Sequence, residues 1–63
     1  MNKTDFVILL WNHGFSAMEE SGVVMVLYES GNFKKTAEEV RKLARINGYI
    51  NSLGFRMKGE HGK

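Results

Sequence analysis

Residues 23–28 read VVMVLY, and the conformation of this apolar run decides the fold. A similar run, FVILLW, occupies residues 6–11. Periodicity does not separate a buried helix from a buried strand in runs this short. Their β-branched and aromatic residues favour strands. The sequences that surround the two runs carry helix signals instead.

These signals lie at the ends of the candidate helices. Ser16-Ala17-Met18-Glu19 has the pattern of a capping box, and Asn32 is a second candidate cap. Glycines 14, 31 and 54 stand where helices would end. We therefore predict an all-α fold, a small helix-turn-helix bundle of three to four helices. The alternative is an α+β fold with two short strands and one long helix.

The second half of the chain has a helical period. Leu43, Ile46, Ile50 and Leu53 recur at spacings of three and four residues, which predicts a helix that reaches residue 53. The small residues of that helix, at spacings of four, form a ridge that we predict to be a contact surface: Ala44, Gly48 and Ser52. A glycine within a helix costs about 1 kcal/mol. Close approach to a phosphate backbone, close packing on another helix, or a turn at this position would each explain Gly48.

Length and charge limit the organisation of the chain. The 63 residues allow one domain, which we assign to residues 1–57, followed by a flexible tail at 58–63. Residues 1–31 carry one lysine and four acids, whereas residues 32–63 carry eight lysines and arginines and three acids. This asymmetry predicts an anionic partner for the second half.

Several classes of function are disfavoured. No nucleophile–base pair, phosphate-binding glycine loop or metal-ligand spacing is present, so we expect no enzyme activity, no cofactor and no metal. The chain has no cysteine, which excludes disulfides. The first apolar run is too short for a membrane helix. We expect a cytoplasmic protein with no membrane partner.

The order of features resembles a Myb/SANT-like helix-turn-helix domain over about residues 15–56. The stretch FSAMEE at residues 15–20, with Val23 and Leu27, is similar to the first helix of that family. The stretch GNFKKTA at 31–37, with Val40, is similar to the second. Residues 46–55, from an isoleucine to Leu-Gly-Phe, are similar to the end of the third helix in related bacterial and phage domains.

The resemblance implies a small DNA-binding or transcription-regulating protein whose partner is double-stranded DNA. Asn47 and Asn51 would contact adenine edges, and Arg45 would contact guanine or phosphate. The cations expected to contact phosphates are Lys34, Lys35, Arg41, Lys42, Arg56 and Lys58.

A protein-binding role is the alternative. The first apolar run covers most directions of a helix, and a small monomer cannot bury all of it. Through the exposed part of this run the protein would form a homodimer. Alternatively, it would be a regulator or inhibitor module, of viral or mobile-element origin, that docks on a host protein. The residues predicted for this surface are Phe6, Leu9, Leu10 and Trp11. The same side chains would alternatively complete the hydrophobic core.

Overall fold

A computed structural model describes residues 1–59 and shows an α+β fold. Along the chain the elements are α1 (Lys3–Asn12), β1 (Ser16–Glu20), β2 (Val23–Tyr28), α2 (Phe33–Ile46) and β3 (Leu53–Met57). The predicted all-α bundle is wrong, because the run at residues 23–28 is a strand. The run at residues 6–11 is helical, within α1.

β1 and β2 form a tight hairpin in place of the predicted capping box and helix. The strands are antiparallel, and Ala17 pairs with Val26. Ser21 and Gly22 join them with φ of 53° and 79°. Two central residues with positive φ form the turn that matches the twist of a hairpin. Ser16 to Glu20 is therefore an edge strand.

β2 is the central strand of the sheet, whose order is β1-β2-β3. α2 connects β2 to β3, which is parallel to β2 and pairs Phe55 with Val26. The β2-α2-β3 unit supplies the third strand that an isolated hairpin lacks. A continuous apolar run is typical of such a central strand.

Both helices pack on one side of the sheet, which we call the inner face. Val24 and Val26 point to it and are fully buried. The core that they form with α1, α2 and the loop after α2 contains Phe6, Val7, Leu10, Ala17, Val40 and Tyr49, with Leu53 and Phe55 packed against it. The opposite side, the outer face, carries Met18, Glu20, Val23, Met25, Leu27, Gly54 and Arg56.

α1 begins and ends with local signals. Asn2 caps it, since its side-chain oxygen accepts a hydrogen bond of 2.8 Å from the amide of Asp5. Gly14 follows the helix with φ of 88°, so its prediction as a helix stop is confirmed.

α2 ends at Ile46, and the predicted helix to residue 53 is wrong. Gly48 has φ of 73°, and the amide of Tyr49 donates to the carbonyl of Ala44 at 2.8 Å. This is a Schellman termination, in which a glycine reverses the chain. Tyr49 then turns into the core and Leu53 starts β3, so the apolar spacing of residues 43–53 combines a helix, a turn and a strand.

The predicted tail begins at the end of the described residues. The amide of Lys58 donates to the carbonyl of Tyr28 at 2.7 Å and continues the β2–β3 ladder by one bond. Residues 60–63 lie outside the described part of the chain. Within residues 1–59, neither helix is both long enough and apolar enough to cross a membrane.

Candidate nucleic-acid interface

The exposed side of α2 carries five cations. Lys34, Arg41 and Arg45 are separated by seven and four residues, which places them on one side of the helix. Lys35 and Lys42, seven residues apart, form a neighbouring row. All five side chains are at least partly exposed. The helix is amphipathic, because its opposite side buries Ala37 and Val40 in the core.

The row with Arg41 lies beside β3. The Arg41 guanidinium carbon is 5.6 Å from the centroid of the Phe55 ring. A cation at this distance from an aromatic face is attracted to the ring. Phe33 packs edge-on against both Phe55 and Tyr28, with ring centroids 5.6 Å and 5.1 Å apart. These aromatic contacts hold the first turn of α2, and with it Lys34, against the sheet.

Ion pairs divide the predicted phosphate-binding cations into two groups. Arg56 lies 2.9 Å from the carboxylate of Glu20, and Lys58 lies 3.2 Å from that of Glu29. No described residue forms an ion pair with a cation of α2. Arg56 projects from the outer face and is separated from α2 by the sheet.

The two predicted base-reading asparagines do not share a helix. Asn47 caps the C-terminus of α2, and its Nδ2 donates to the carbonyl of Leu43 at 2.9 Å. Asn51 is exposed in the loop before β3. A recognition helix that displays both residues would need α2 to reach residue 53. Asn47 and Asn51 therefore do not form one reading surface.

The predicted ridge of small residues does not form. Ala44 packs against the core, Gly48 forms the turn after α2, and the hydroxyl of Ser52 donates to the carbonyl of Gly22 at 3.0 Å. Of the three explanations for Gly48, the turn is the observed one.

The predicted apolar interface on α1 lies partly in the core. Phe6 and Leu10 are fully buried and Leu9 is half-buried, so these residues complete the core. Trp11 is 56% exposed, and its indole N–H donates to the carbonyl of Ala17 at 2.8 Å. Trp11 thereby binds the edge strand β1.

A groove beside α2, whose lining includes Lys42 of the cationic rows, was not predicted from the sequence. It has a volume of about 310 Å³ and is lined by His13, Phe15, Glu39, Lys42, Leu43 and Ile46. It runs between the C-terminal end of α1 and α2, so its residues come from segments about 25 residues apart. The sequence gives one signal for this groove, which is the position of Ile46 as the last apolar residue of α2. In the structure Ile46 is 66% exposed.

The described residues offer no cluster of metal ligands. Within residues 1–59, no three side chains among histidine, aspartate and glutamate lie close enough to hold an ion.

No protein-family model, curated protein or solved structure matches the chain. The resemblance to Myb/SANT-like domains thus depends on the residue patterns alone, and the three-helix fold that it implied is wrong. The segments that carry it lie on β1, β2, α2 and the start of β3.

Proposed function

We propose that the protein is a small nucleic-acid-binding protein that contacts the phosphates of duplex DNA through the exposed side of α2. One observation carries the proposal: five cations on a single helix have no ion-pair partner among the described residues, whereas Arg56 and Lys58 have one each. Exposed lysines and arginines clustered on one helix are the electrostatic footprint of phosphate binding.

The dimensions of the cationic rows suit this role. Lys34 and Arg45 are eleven positions apart, so they span about 16 Å along the helix axis. One strand of DNA presents a phosphate about every 3.4 Å along its axis. The helix therefore covers several phosphates at once. Arg41 lies near the middle of this span, beside the Phe55 ring.

The charges in the first turn of α2 favour phosphate binding and disfavour the helix itself. It carries Lys34 and Lys35 and no acid. The positive end of the helix dipole disfavours cations there, by about 0.3–1 kcal/mol each. Asn32 occupies the cap position without a side-chain hydrogen bond, so it satisfies none of the free amides. Lysines beside uncapped amides make this end of α2 attractive to phosphate.

Two acids limit the contact. Glu38 and Glu39 are exposed on the same helix, which leaves α2 with a net charge of three positive units. We therefore expect about three to four phosphate contacts per protein and little reading of bases. We propose that the partner is double-stranded DNA, that the protein is cytoplasmic and that it regulates transcription.

Salt dependence tests the proposal. A labelled DNA duplex is titrated with the protein between about 50 and 250 mM salt. The expected slope of log affinity against log salt is about −3 to −4, since each phosphate contact contributes about −0.9. Binding that does not weaken with salt, or no binding at about 50 mM salt and 100 µM protein, would contradict the proposal.

Matched variants assign the contact to α2. Arg41→Gln and Arg45→Gln each remove one charge from the rows and are expected to reduce the magnitude of the slope by about 1. Lys3→Gln removes one charge from α1 and is expected to leave the slope unchanged. An equal effect of all three substitutions would show that only net charge matters and would reject α2 as the contact surface.

A further inference from the structure

The two edges of the sheet differ in what covers them. β1 and β3 are the edge strands. α1 packs along β1, and the Trp11 indole N–H donates to the carbonyl of Ala17 at 2.8 Å, so the middle of that edge is occupied. Among residues 1–59, the backbone hydrogen bonds of β3 run to β2 alone. An uncovered edge is a template for one more strand.

The register of β3 shows which of its backbone groups are free. Met57 pairs with Tyr28, whose carbonyl accepts from the amide of Lys58 at 2.7 Å. In a parallel ladder the N–H and C=O groups of one residue point to the same side, and this side alternates along the strand. The N–H and C=O groups of Leu53, Phe55 and Met57 therefore point away from β2. Every residue of β3 is partly exposed.

Cations flank this open edge. The Arg41 guanidinium carbon lies 5.6 Å from the centroid of the Phe55 ring. The opposite flank of α2 faces α1 across the groove that ends at Ile46. The row that contains Lys34, Arg41 and Arg45 is therefore on the flank of α2 beside the open edge, and none of these cations forms an ion pair within residues 1–59.

We propose that the edge of β3 binds an extended acidic peptide segment as a fourth strand of the sheet. The segment pairs antiparallel with the free backbone groups of Leu53, Phe55 and Met57. Residues that lie opposite each other in a ladder project to the same face, so every second side chain of the segment lies beside α2. These positions carry the acids, which contact Arg41 and its neighbours. Strand addition takes affinity from backbone hydrogen bonds and specificity from alternate side chains.

Charge selects an acidic strand as the occupant. Glu38 also lies in the row, so its three cations and one acid leave two positive charges. A second copy of the chain on this edge would bring two such rows together, and like charges repel. A nucleic acid would neutralise the row but has no peptide backbone to pair with β3. An acidic peptide segment meets both requirements.

This inference goes beyond the DNA contact and does not rest on it. The acidic segment and DNA both contact Arg41, so they are expected to compete for α2. The free backbone groups of β3 serve the segment alone. An acidic protein that offers such a strand would therefore displace DNA from α2.

Titration with synthetic peptides tests the proposal. The probe is a labelled peptide of about eight residues that alternates glutamate with threonine, has both ends blocked and is used at about 150 mM salt. Its expected dissociation constant is about 10–500 µM. A matched peptide with lysine in place of glutamate is expected to bind at least tenfold more weakly. No binding of the glutamate peptide at about 1 mM protein, or equal binding of the two peptides, would overturn the proposal.

Two N-methylated forms of the glutamate peptide show whether its backbone pairs with β3. In the antiparallel arrangement the glutamate amides face β3 and the threonine amides face solvent. Methylation of the glutamate amides is expected to weaken binding at least tenfold, and methylation of the threonine amides less than about threefold. The two forms have the same charge, so equal binding would show electrostatic attraction alone and reject strand pairing. The reverse order would reject the antiparallel arrangement.

Substitutions of Met57 locate the contact on β3. Met57→Pro removes an N–H that points away from β2, and an edge strand tolerates proline at such a position. Met57→Ala is the matched control, because it loses the side chain and keeps the N–H. Peptide binding is expected to fall at least fivefold in Met57→Pro and to stay within about twofold of the wild type in Met57→Ala. Equal peptide affinities of the two folded variants would remove the contact from β3. Circular dichroism checks folding, and the methylated peptides test the same pairing without any change to the protein.

DNA titration of the same variants separates this inference from the proposed function. Met57→Pro is expected to bind duplex DNA as the wild type does, whereas Arg41→Gln is expected to weaken the binding of both ligands. Peptide binding with no DNA binding would reject the proposed function and leave the strand site in place. DNA binding with no peptide binding would reject the strand site alone.

Discussion

The rings of Phe6 and Tyr49 are stacked, with centroids 4.2 Å apart and planes inclined by 6°. Phe6 comes from α1 and Tyr49 from the loop after α2, and both are buried. The stack joins the first helix to the segment that leads into the last strand. The Tyr49 hydroxyl donates to the carbonyl of Ser52 at 2.6 Å, which fixes the path of this loop into β3.

Tyr49→Ala is expected to remove a large part of the stability of the protein. Truncation of a large buried aromatic residue costs about 3–5 kcal/mol, and a domain of this size has a total stability of roughly 3–9 kcal/mol. Urea denaturation followed by circular dichroism measures the loss. Tyr28→Ala is the control, because Tyr28 is half-buried and is expected to cost less than half as much. Equal losses would show that the stack has no special role.

Stability is expected to fall at alkaline pH because of Tyr49. Burial raises the pKa of Tyr49 above 10.0, and the negative charge of Glu19 raises it further. The unfolded chain therefore ionises this tyrosine at lower pH than the folded protein. Its contribution to stability is complete below about pH 10 and is lost as the pH rises towards the folded-state pKa, at up to about 1.4 kcal/mol per pH unit.

Tyr49→Phe isolates this effect. The variant lacks the hydroxyl, so its unfolding free energy is expected to fall less steeply above about pH 10 than that of the wild type. Below that pH it is expected to be about 1 kcal/mol less stable, because it loses the hydrogen bond to Ser52. Parallel stability curves for the two proteins between about pH 9 and 11.5 would contradict the expectation.

Gly48→Ala is expected to lower the unfolding free energy by about 1–2 kcal/mol. Gly48 has φ of 73°, and no atom lies within 4 Å of the position that a Cβ would take there, so the penalty arises from backbone conformation alone. Gly48→Asn is expected to cost less, since asparagine tolerates this region. Gly54→Ala is the control. It lies in a strand, and the flexible end of Met25 can move aside, so its effect is expected to stay below about 0.5 kcal/mol.

The sequence predicted some ends of elements correctly, but Gly31 follows a strand and Gly54 lies within β3, so neither is the helix stop that was predicted. The stop at Gly14 is confirmed, and α2 begins after Asn32, which was one candidate cap beside the box pattern at Thr36. The hairpin is missed because Ser16 and Glu19 fit a capping box. The stronger signal is Ser21-Gly22 between two segments that continue as strands, a dipeptide typical of turns.

The sequence predicted only part of the candidate site, because only some of its features follow from local sequence pattern. Exposure of the lysines and arginines of α2 follows from the helical period, which buries Ala37 and Val40 and leaves the cations on the flank and the far side of the helix. Arg56 pairs with Glu20, which is distant in sequence, and the role of Asn47 depends on where α2 ends. Local sequence pattern specifies neither. A parallel β2–β3 pair across twenty-four intervening residues is likewise a tertiary contact that no local period reveals.

A variant of the two lysines at the start of α2 is expected to lose affinity for DNA without losing stability. We expect the double variant Lys34→Gln, Lys35→Gln to be no less stable than the wild type, because these lysines form no ion pair among the described residues and the positive end of the helix disfavours cations. Its affinity for duplex DNA at about 50 mM salt is expected to fall at least tenfold, and the salt slope to decrease in magnitude by up to about 2. Urea denaturation and DNA titration on the same sample measure both quantities. A loss of more than about 1 kcal/mol in stability with unchanged DNA affinity would assign these lysines to the fold and remove the first turn of α2 from the proposed contact.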